Sequence, residues 1–280
     1  EMAFGGFTKE GFVAGIKDIS GILIDVLVLL VAASVLIRTP INFKEKFAKE
    51  IREEGGVAEA FSCNVLDRAV CEEVAKAVQA KLGDCDILIN GAGGNNPKAT
   101  TDKEYFEMGD IDSDTKSFFD LDEEGVESVF TLNFLGTLIP TQVFARDMAR
   151  EGGTIINVSS MNAFRPLTRI PAYSGAKAAV SNFTQWLAVH FAPVGIRVNA
   201  IAPGFFLTEQ NRTLLTNPDG SLTARADKII THTPMDRFGV PADLDGTLLW
   251  LADDAGEMAV EAFTDQLHLR QDEPPLRRRG

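Results

Sequence analysis

Thr154-Ile-Ile-Asn-Val-Ser-Ser160 and, thirteen residues after its last serine, Tyr173-Ser-Gly-Ala-Lys177 decide how this chain is read. The first is a β-branched run, the pattern of a strand buried on both faces of a parallel sheet, and it ends in two hydroxyls. The second opens a long apolar stretch of helical length, residues 172–191. A phenol and an ammonium four residues apart share one face of that helix, roughly 5–6 Å apart at Cβ. At that range Lys177 is expected to pull the Tyr173 pKa down from about 10, so that the phenol exchanges a proton near neutral pH. Ser160 ends its strand at the carboxyl edge, where open α/β sheets hold their ligands.

Working outward, Asp86-Ile-Leu-Ile-Asn90 is a second buried strand and runs straight into Gly91-Ala-Gly-Gly94. Ile196-Arg-Val-Asn-Ala-Ile201 is a third, followed by Pro203-Gly204. Such strands alternating with helical patterns point to a single doubly wound α/β domain over residues 1–280, a parallel sheet flanked by helices. With 280 residues and 45% hydrophobic content, the chain buries a large core without needing a second domain. No Ser-, Pro- or Gly-rich linker divides it. The absence of a fixed-period repeat or low-complexity tract argues against a solenoid or a disordered chain.

A net charge of −13, from 27 basic and 40 acidic residues, works against binding a phosphate backbone or an anionic membrane, so neither nucleic acid nor membrane is expected as a partner. Cys63, Cys71 and Cys85 are odd in number, lack metal-ligand spacing and suit a reducing compartment, hence the cytoplasm. The apolar run over residues 26–37 is twelve residues long with Asp25 at its front. That is short of the roughly 17–25 a bilayer helix needs, and it reads neither as a span nor as a signal peptide. Residues 102–124 hold ten carboxylates against Lys103 and Lys116. Charge runs are ordinarily solvated, so no metal site is expected, and this long connection reads as a flap beside the pocket.

Asn90-Gly-Ala-Gly93, Asn133 within Leu132-Asn-Phe-Leu-Gly136, Ser160, Tyr173, Lys177 and Asn199-Ala-Ile-Ala-Pro-Gly204 together resemble the short-chain dehydrogenase/reductase family. The resemblance implies a Rossmann-type fold, a nicotinamide cofactor, and hydride transfer to or from a secondary alcohol or ketone. It implies that Ser160 and Tyr173 hold the carbonyl oxygen and Tyr173 protonates it. Lys177 would tune Tyr173 and bind the nicotinamide ribose, and Asn133 would position a relay water. For Asn133 the alternative is structural, satisfying the backbone of a helix over residues 123–150 that contains Gly136 and Pro140 and must bend. Ser160 is preferred to Ser159, because its interval to Tyr173 matches the family and alternation turns the two side chains apart. Asn90, Gly91, Ala92 and Gly93 are expected on the adenosine and ribose side of the pocket, and Pro203 and Gly204 beside the nicotinamide. Gly91-Ala-Gly-Gly-Asn-Asn-Pro97, Met161-Asn-Ala-Phe-Arg-Pro166 and Gly204-Phe-Phe-Leu-Thr-Glu-Gln-Asn211 are similar to the branch that interconverts D-mannonate and D-fructuronate. A homo-oligomer, dimer or tetramer, is implied through the helices at 123–150 and 172–191.

Both ends depart from the family pattern, over residues 1–60 and 255–280. A dinucleotide site needs glycines after the first strand, where the backbone must turn tightly and approach the pyrophosphate at a helix N-terminus. Gly11, Gly15 and Gly21, with Ser20, are the nearby candidates, and their spacing does not fit. Val35-Leu-Ile-Arg-Thr39 lacks an acid at its tip for the adenosine ribose, and Arg38 suits a 2′-phosphate instead. NAD and NADP both stay open, with NAD favoured by the resemblance. Ser62-Cys-Asn-Val65 stands where the family has an Asp-Val pair beside the adenine. The Asn64 amide can accept from and donate to that ring, or serve only as a turn residue before a helix started by Asp67. Residues 270–280, polar and Pro-containing, read as a disordered tail.

A sugar acid needs a carboxylate partner and several hydroxyl partners. Arg165 and Arg169, in the loop between Ser160 and Tyr173, are the candidates for a bidentate carboxylate pair. Asn95, Asn96 and Asn162 offer amides to polyol hydroxyls, and Gln210 and Asn211 lie on a lid-like segment. His190 and His232 read as packing or surface residues, while His268 falls in the aberrant tail. Two other readings remain: a reductase of another sugar or ketone, and a non-catalytic relative that has lost cofactor binding.

Overall fold

A computed structural model describes residues 27–30, 42–207, 212 and 215–253. The glycines and serine nominated near the N-terminus, Arg38, Gln210, Asn211, His268 and the tail lie outside the described residues.

Among the described residues, four parallel strands form one sheet in the order β1 (Leu27–Leu30), β2 (Ile87–Asn90), β3 (Gly153–Val158) and β4 (Ile196–Ile201). The register sets Leu29 against Ile89, Asn90 against Asn157 and Val158 against Ile201. The helices are α1 (Asn42–Glu53), α2 (Arg68–Leu82), α3 (Glu123–Phe130), α4 (Gly136–Glu151), α5 (Pro171–Phe191), α6 (Ala224–Thr231) and α7 (Ala242–Ala252). Parallel neighbours need crossovers, and these helices supply them. Strand alternation divides the core in two. Leu88, Ile155 and Val198 pack with Val74 and Val78 of α2, Phe144 and Met148 of α4, and Leu187 of α5. Ile87, Ile89, Ile156, Val158 and Ile201 point the other way, onto Leu248 and Leu251 of α7. Burying each such side chain contributes about 1.5–3 kcal/mol.

Local signals set the boundaries. Asp67 caps α2, its Oδ1 accepting from the N–H of Ala69 at 2.9 Å and of Val70 at 3.2 Å, as its place before a helical run predicts. At Gly153 the backbone φ is 148°, and a Cβ would stand 2.8 Å from the Asp86 carbonyl. Only glycine fits that crossing of β3 past the approach to β2. Pro140 lies inside α4. The hydrogen-bond ladder of the helical stretch 123–151 changes at a π-helical turn, Thr131–Leu135, where the Gly136 N–H reaches back five residues to the Thr131 carbonyl. This stretch is apolar and long enough to cross a bilayer, yet half of its most apolar window is buried, the pattern of a core helix.

A ladder of buried amides and hydroxyls ties the strand ends to the helices. Asn90 Nδ2 donates to Asn157 Oδ1 and to Thr141 Oγ1 of α4, each at 2.9 Å, and Asn157 Nδ2 donates to Thr184 Oγ1 of α5 at 2.9 Å. Buried polar groups of this kind are costly to leave unpaired, about 1–3 kcal/mol each, so the network fixes the carboxyl edge of the sheet.

Candidate active site

That edge carries the site. Ser159 and Ser160 follow β3 and diverge as alternation requires. Ser159 Oγ lies 2.6 Å from Ser181 Oγ and donates to the Lys177 carbonyl at 3.2 Å, inside the packing against α5. Ser160 turns the other way and caps a short 3-10 turn, Met161–Ala163, accepting from the Asn162 N–H at 3.2 Å.

α5 begins at Pro171, a residue suited to the first helical position because it has no N–H to leave unpaired. Tyr173 and Lys177 therefore fall in its first two turns and lean back towards the Ser160 loop. Lys177 is almost wholly buried, 4% exposed, and its Nζ donates to the Val158 carbonyl at 2.7 Å. Burial without a carboxylate partner lowers its pKa to about 8. The Nζ lies 5.8 Å from the centroid of the Tyr173 ring.

Here the structure corrects the sequence reading of the phenol. Tyr173 is half-buried and its pKa is raised, because burial disfavours the phenolate. The lowering influence is the hydrogen bond with Ser160, not Lys177, whose ammonium is committed to the end of β3. Of the two, it is the lysine that is brought towards neutrality.

Asn133 is completely buried at the centre of the π turn. Its Nδ2 donates to the carbonyls of Val129 and Gly94, both at 2.7 Å, and its Oδ1 accepts from the Gly94 N–H at 3.1 Å. The structural role weighed from sequence is thus present, and it extends beyond the helix by fixing the glycine loop after β2. Gly93 sits between the two buried groups. A Cβ there would stand 2.6 Å from Asn133 Oδ1 and 2.9 Å from Lys177 Nζ.

The remaining nominees separate into two sets. The Asn90 side chain belongs to the buried ladder, leaving only its backbone to a ligand. Ala92 and Val65 are buried in the core that also holds Gly136. Asn64 Oδ1 accepts from the Leu66 N–H at 3.1 Å, the turn role left open above. Asn96 caps the turn Pro97–Ala99 and donates to Ser128 Oγ at 2.8 Å, so its amide is engaged. Gly204 is exposed, and a Cβ there would meet nothing within 4 Å; Pro203 accepts from the Met161 N–H at 3.2 Å, joining the loop after β4 to the serine loop. Asn95 donates to Thr100 Oγ1 at 2.9 Å, while its Oδ1 and that of buried Asn162 have no partner. Arg165 is exposed. Arg169 is half-buried, and its Nε donates to the Thr101 carbonyl at 2.8 Å. His190 stacks on Trp186 with ring centroids 4.5 Å apart, a packing contact. Ser174, which sequence reasoning passed over, is buried with an unpartnered hydroxyl beside Tyr173.

The nicotinamide half of a dinucleotide fits these residues. A buried ammonium retains donors beyond its bond to Val158, and it faces a glycine at which no side chain has room. For the pyrophosphate half, the sequence following β1 has no glycine before Gly55, and Gly11, Gly15 and Gly21 all precede that strand.

A doubly wound parallel sheet with Ser, Tyr and Lys gathered at its carboxyl edge defines a nicotinamide-dependent oxidoreductase. The short chain dehydrogenase family pattern matches residues 31–219, beginning within the aberrant N-terminal segment. An uncharacterized oxidoreductase of Haemophilus influenzae is 58% identical over 217 residues, 76% of each chain. The 2-dehydro-3-deoxy-D-gluconate 5-dehydrogenase of Dickeya dadantii is 33% identical over 186 residues, 66% of this chain and 64% of its own. Among solved structures, a "putative D-Mannonate oxidoreductase" from Haemophilus influenza with bound NAD superposes with a TM-score of 0.77 at 51% identity, covering 90% of this chain and 86% of that one. The chain belongs to the short-chain dehydrogenase/reductase family and is an NAD(P)-dependent oxidoreductase.

Proposed function

We propose that the protein interconverts D-fructuronate and D-mannonate with NAD as its cofactor, as a single catalytic domain working in the cytoplasm. The observation that carries the substrate class is Arg169. Its half-buried guanidinium is oriented through Nε by the Thr101 carbonyl, which leaves the terminal nitrogens for a carboxylate four residues ahead of Tyr173. The similarity to the NAD-bound "putative D-Mannonate oxidoreductase" and to the 2-dehydro-3-deoxy-D-gluconate 5-dehydrogenase supports the same class.

The bound nicotinamide supplies the hydride. Ser160 and Tyr173 hydrogen-bond the substrate carbonyl oxygen and stabilise the charge that grows there, and the phenol gives up its proton. A raised pKa suits this donor role, since the phenol stays protonated until the alkoxide forms. Lys177 places a positive charge beside the phenol and offers donors to the ribose. Asn133 holds the Gly93–Gly94 backbone that lines the same space. Asn95 and Asn162 keep buried amide oxygens without a protein partner among the described residues, which substrate hydroxyls would satisfy once the loop admits them.

The assembly is a homo-oligomer through the outer faces of α3, α4 and α5. Phe130, Leu135, Trp186 and Val189 are exposed there, and Phe134, Phe183 and Trp186 form a continuous aromatic row. The test of function is kcat/KM with NADH for D-fructuronate and for neutral D-fructose. The acid should be preferred roughly ten- to hundredfold; equal use overturns the uronate reading and leaves the oxidoreductase intact.

A further inference from the structure

Two consecutive residues at the end of β3 hold Lys177 at both ends of its side chain. Val158 takes the head, its carbonyl accepting from Nζ at 2.7 Å. Ser159, buried against α5, takes the base, its Oγ donating to the Lys177 carbonyl at 3.2 Å. A hydroxyl has one proton. Because Ser159 gives its proton to that carbonyl, Ser181 is the donor across the 2.6 Å between the two serine hydroxyls. The arrangement is tied to the sheet as well, since the Ser159 N–H donates to the Ile201 carbonyl of β4 at 2.8 Å. Val158, Ser159 and Lys177 thus close a ring that contains the whole lysine side chain.

We infer that Ser159 is a positioning residue for Lys177, setting where the ammonium stands without itself touching substrate or cofactor. This rests on the reading above in which Lys177 places its charge beside Tyr173 and offers donors to the nicotinamide ribose. A lysine head sits on a flexible four-carbon stem. One hydrogen bond at Nζ fixes its distance to Val158 but leaves the stem free to rearrange, and holding the base removes that freedom. The Lys177 carbonyl has two lone pairs, one of them taken by the helical ladder. The serine is therefore not needed to satisfy it, and what the bond adds is a fixed relation between helix and strand. The tolerance is small, because a Cβ on Gly93 would stand 2.9 Å from Nζ, so the ammonium already lies against the glycine loop. Tyr173 stands about 6 Å along the helix axis before the held residue, so a slide of α5 along β3 would move phenol and ammonium together. Ser181 supports the arrangement without setting it, since removing its hydroxyl leaves the bond from Ser159 to Lys177 in place.

The experiment measures NADH affinity by fluorescence titration, kcat and KM for D-fructuronate, and melting temperature. The proteins are the parent chain, Ser159→Ala, Ser181→Ala, Lys177→Met and the double variant Ser159→Ala with Lys177→Met. Ser159→Ala should weaken NADH binding roughly threefold to tenfold and lower kcat roughly tenfold, short of the hundredfold that a misplacement of about 1 Å can cost. KM for D-fructuronate should stay within about twofold. Ser181→Ala should leave kcat and NADH affinity within about twofold of the parent. In the Lys177→Met background Ser159→Ala should leave NADH affinity unchanged, because the group it positions is gone. Parental kcat and NADH affinity in Ser159→Ala overturn the inference, whatever the melting temperature. Equal losses in Ser159→Ala and Ser181→Ala also overturn it, as the mark of packing alone, and so does an effect of Ser159→Ala on NADH that persists without the lysine. If Lys177→Met itself binds NADH as the parent does, the ribose role of Lys177 fails and this inference with it, while the oxidoreductase stands.

Discussion

Lys177 and Asn133, on the floor of the site, are buried and bonded to the backbone of an adjoining strand and loop. Arg165, Arg169 and Asn96, on its rim, are exposed or half-buried and depend on contacts between loops. The floor is rigid because each of its polar atoms answers to a secondary-structure element: Lys177 to the end of β3, Asn133 to the π turn and the loop after β2. The rim is held by single hydrogen bonds and solvated ion pairs, each worth about a kilocalorie or less. In the function proposed above, chemistry is seated on the floor, where displacement is costly, and substrate choice on the rim, where side chains exchange at little cost to the fold.

The most direct way to break this division is on the floor. Tyr173→Phe keeps the ring and removes the proton donor, and it should lower kcat by roughly 10²–10⁴ while leaving the melting temperature and NADH affinity near those of the parent. Steady-state kinetics and thermal denaturation check it. Turnover within about threefold of the parent would move the proton donor elsewhere.

Lys177 offers a sharper test through pH. Its folded pKa of about 8 lies below the ordinary lysine value, so between the two the unfolded chain binds the extra proton. Folding stability should therefore rise as pH climbs from about 8 to about 10.5, and below that window the full desolvation penalty is felt. The rise is about 3 kcal/mol at most. In Lys177→Met this part of the pH dependence should vanish along with activity. Urea unfolding of both proteins across the window measures the difference, and parallel curves would show that the ammonium is better solvated than its burial implies.

Gly93→Ala tests how closely the floor is packed. The added methyl meets Asn133 Oδ1 and Lys177 Nζ, both already fixed by hydrogen bonds, so neither retreats freely. Overpacking should cost about 1–3 kcal/mol of stability and lower kcat/KM as well. A variant with unchanged kinetics would mean that the glycine loop is looser than its bonds to Asn133 suggest.

The same contrast explains what the sequence reveals. β2, β3, β4 and α5 are legible because burial on both faces leaves β-branched runs and a long apolar helix, and Ser160, Tyr173 and Lys177 follow by spacing. The π turn was not legible, since no local pattern marks it; the ladder changes where Asn133 offers its amide to Val129 and Gly94. The Asn90–Asn157 ladder depends on a register between strands 67 residues apart. The pairing of Lys228 with Glu104 likewise joins residues 124 positions apart. No local periodicity carries such information. The downward tuning of Tyr173 failed for a related reason: spacing reports proximity, whereas burial and the direction of the Lys177 bond decide the sign.

The smallest expected effect is at Asn96, and it separates rim residues that read substrate from those that only shape the loop. Asn96 Oδ1 accepts from the Lys98 N–H at 2.9 Å and its Nδ2 donates to Ser128 Oγ at 2.8 Å. Both ends of the amide are thus engaged in capping a turn and anchoring it to α3. Asn96→Ala should cost about 1 kcal/mol of stability, the usual scale for losing a cap, and leave kcat/KM for D-fructuronate within about twofold. Asn95, whose Oδ1 has no partner, should behave in the opposite way, its substitution by Ala raising KM with little change in melting temperature. If instead Asn96→Ala alone impairs KM, the amide leaves its cap when substrate arrives, and the rim reorganises in a way these hydrogen bonds do not foretell.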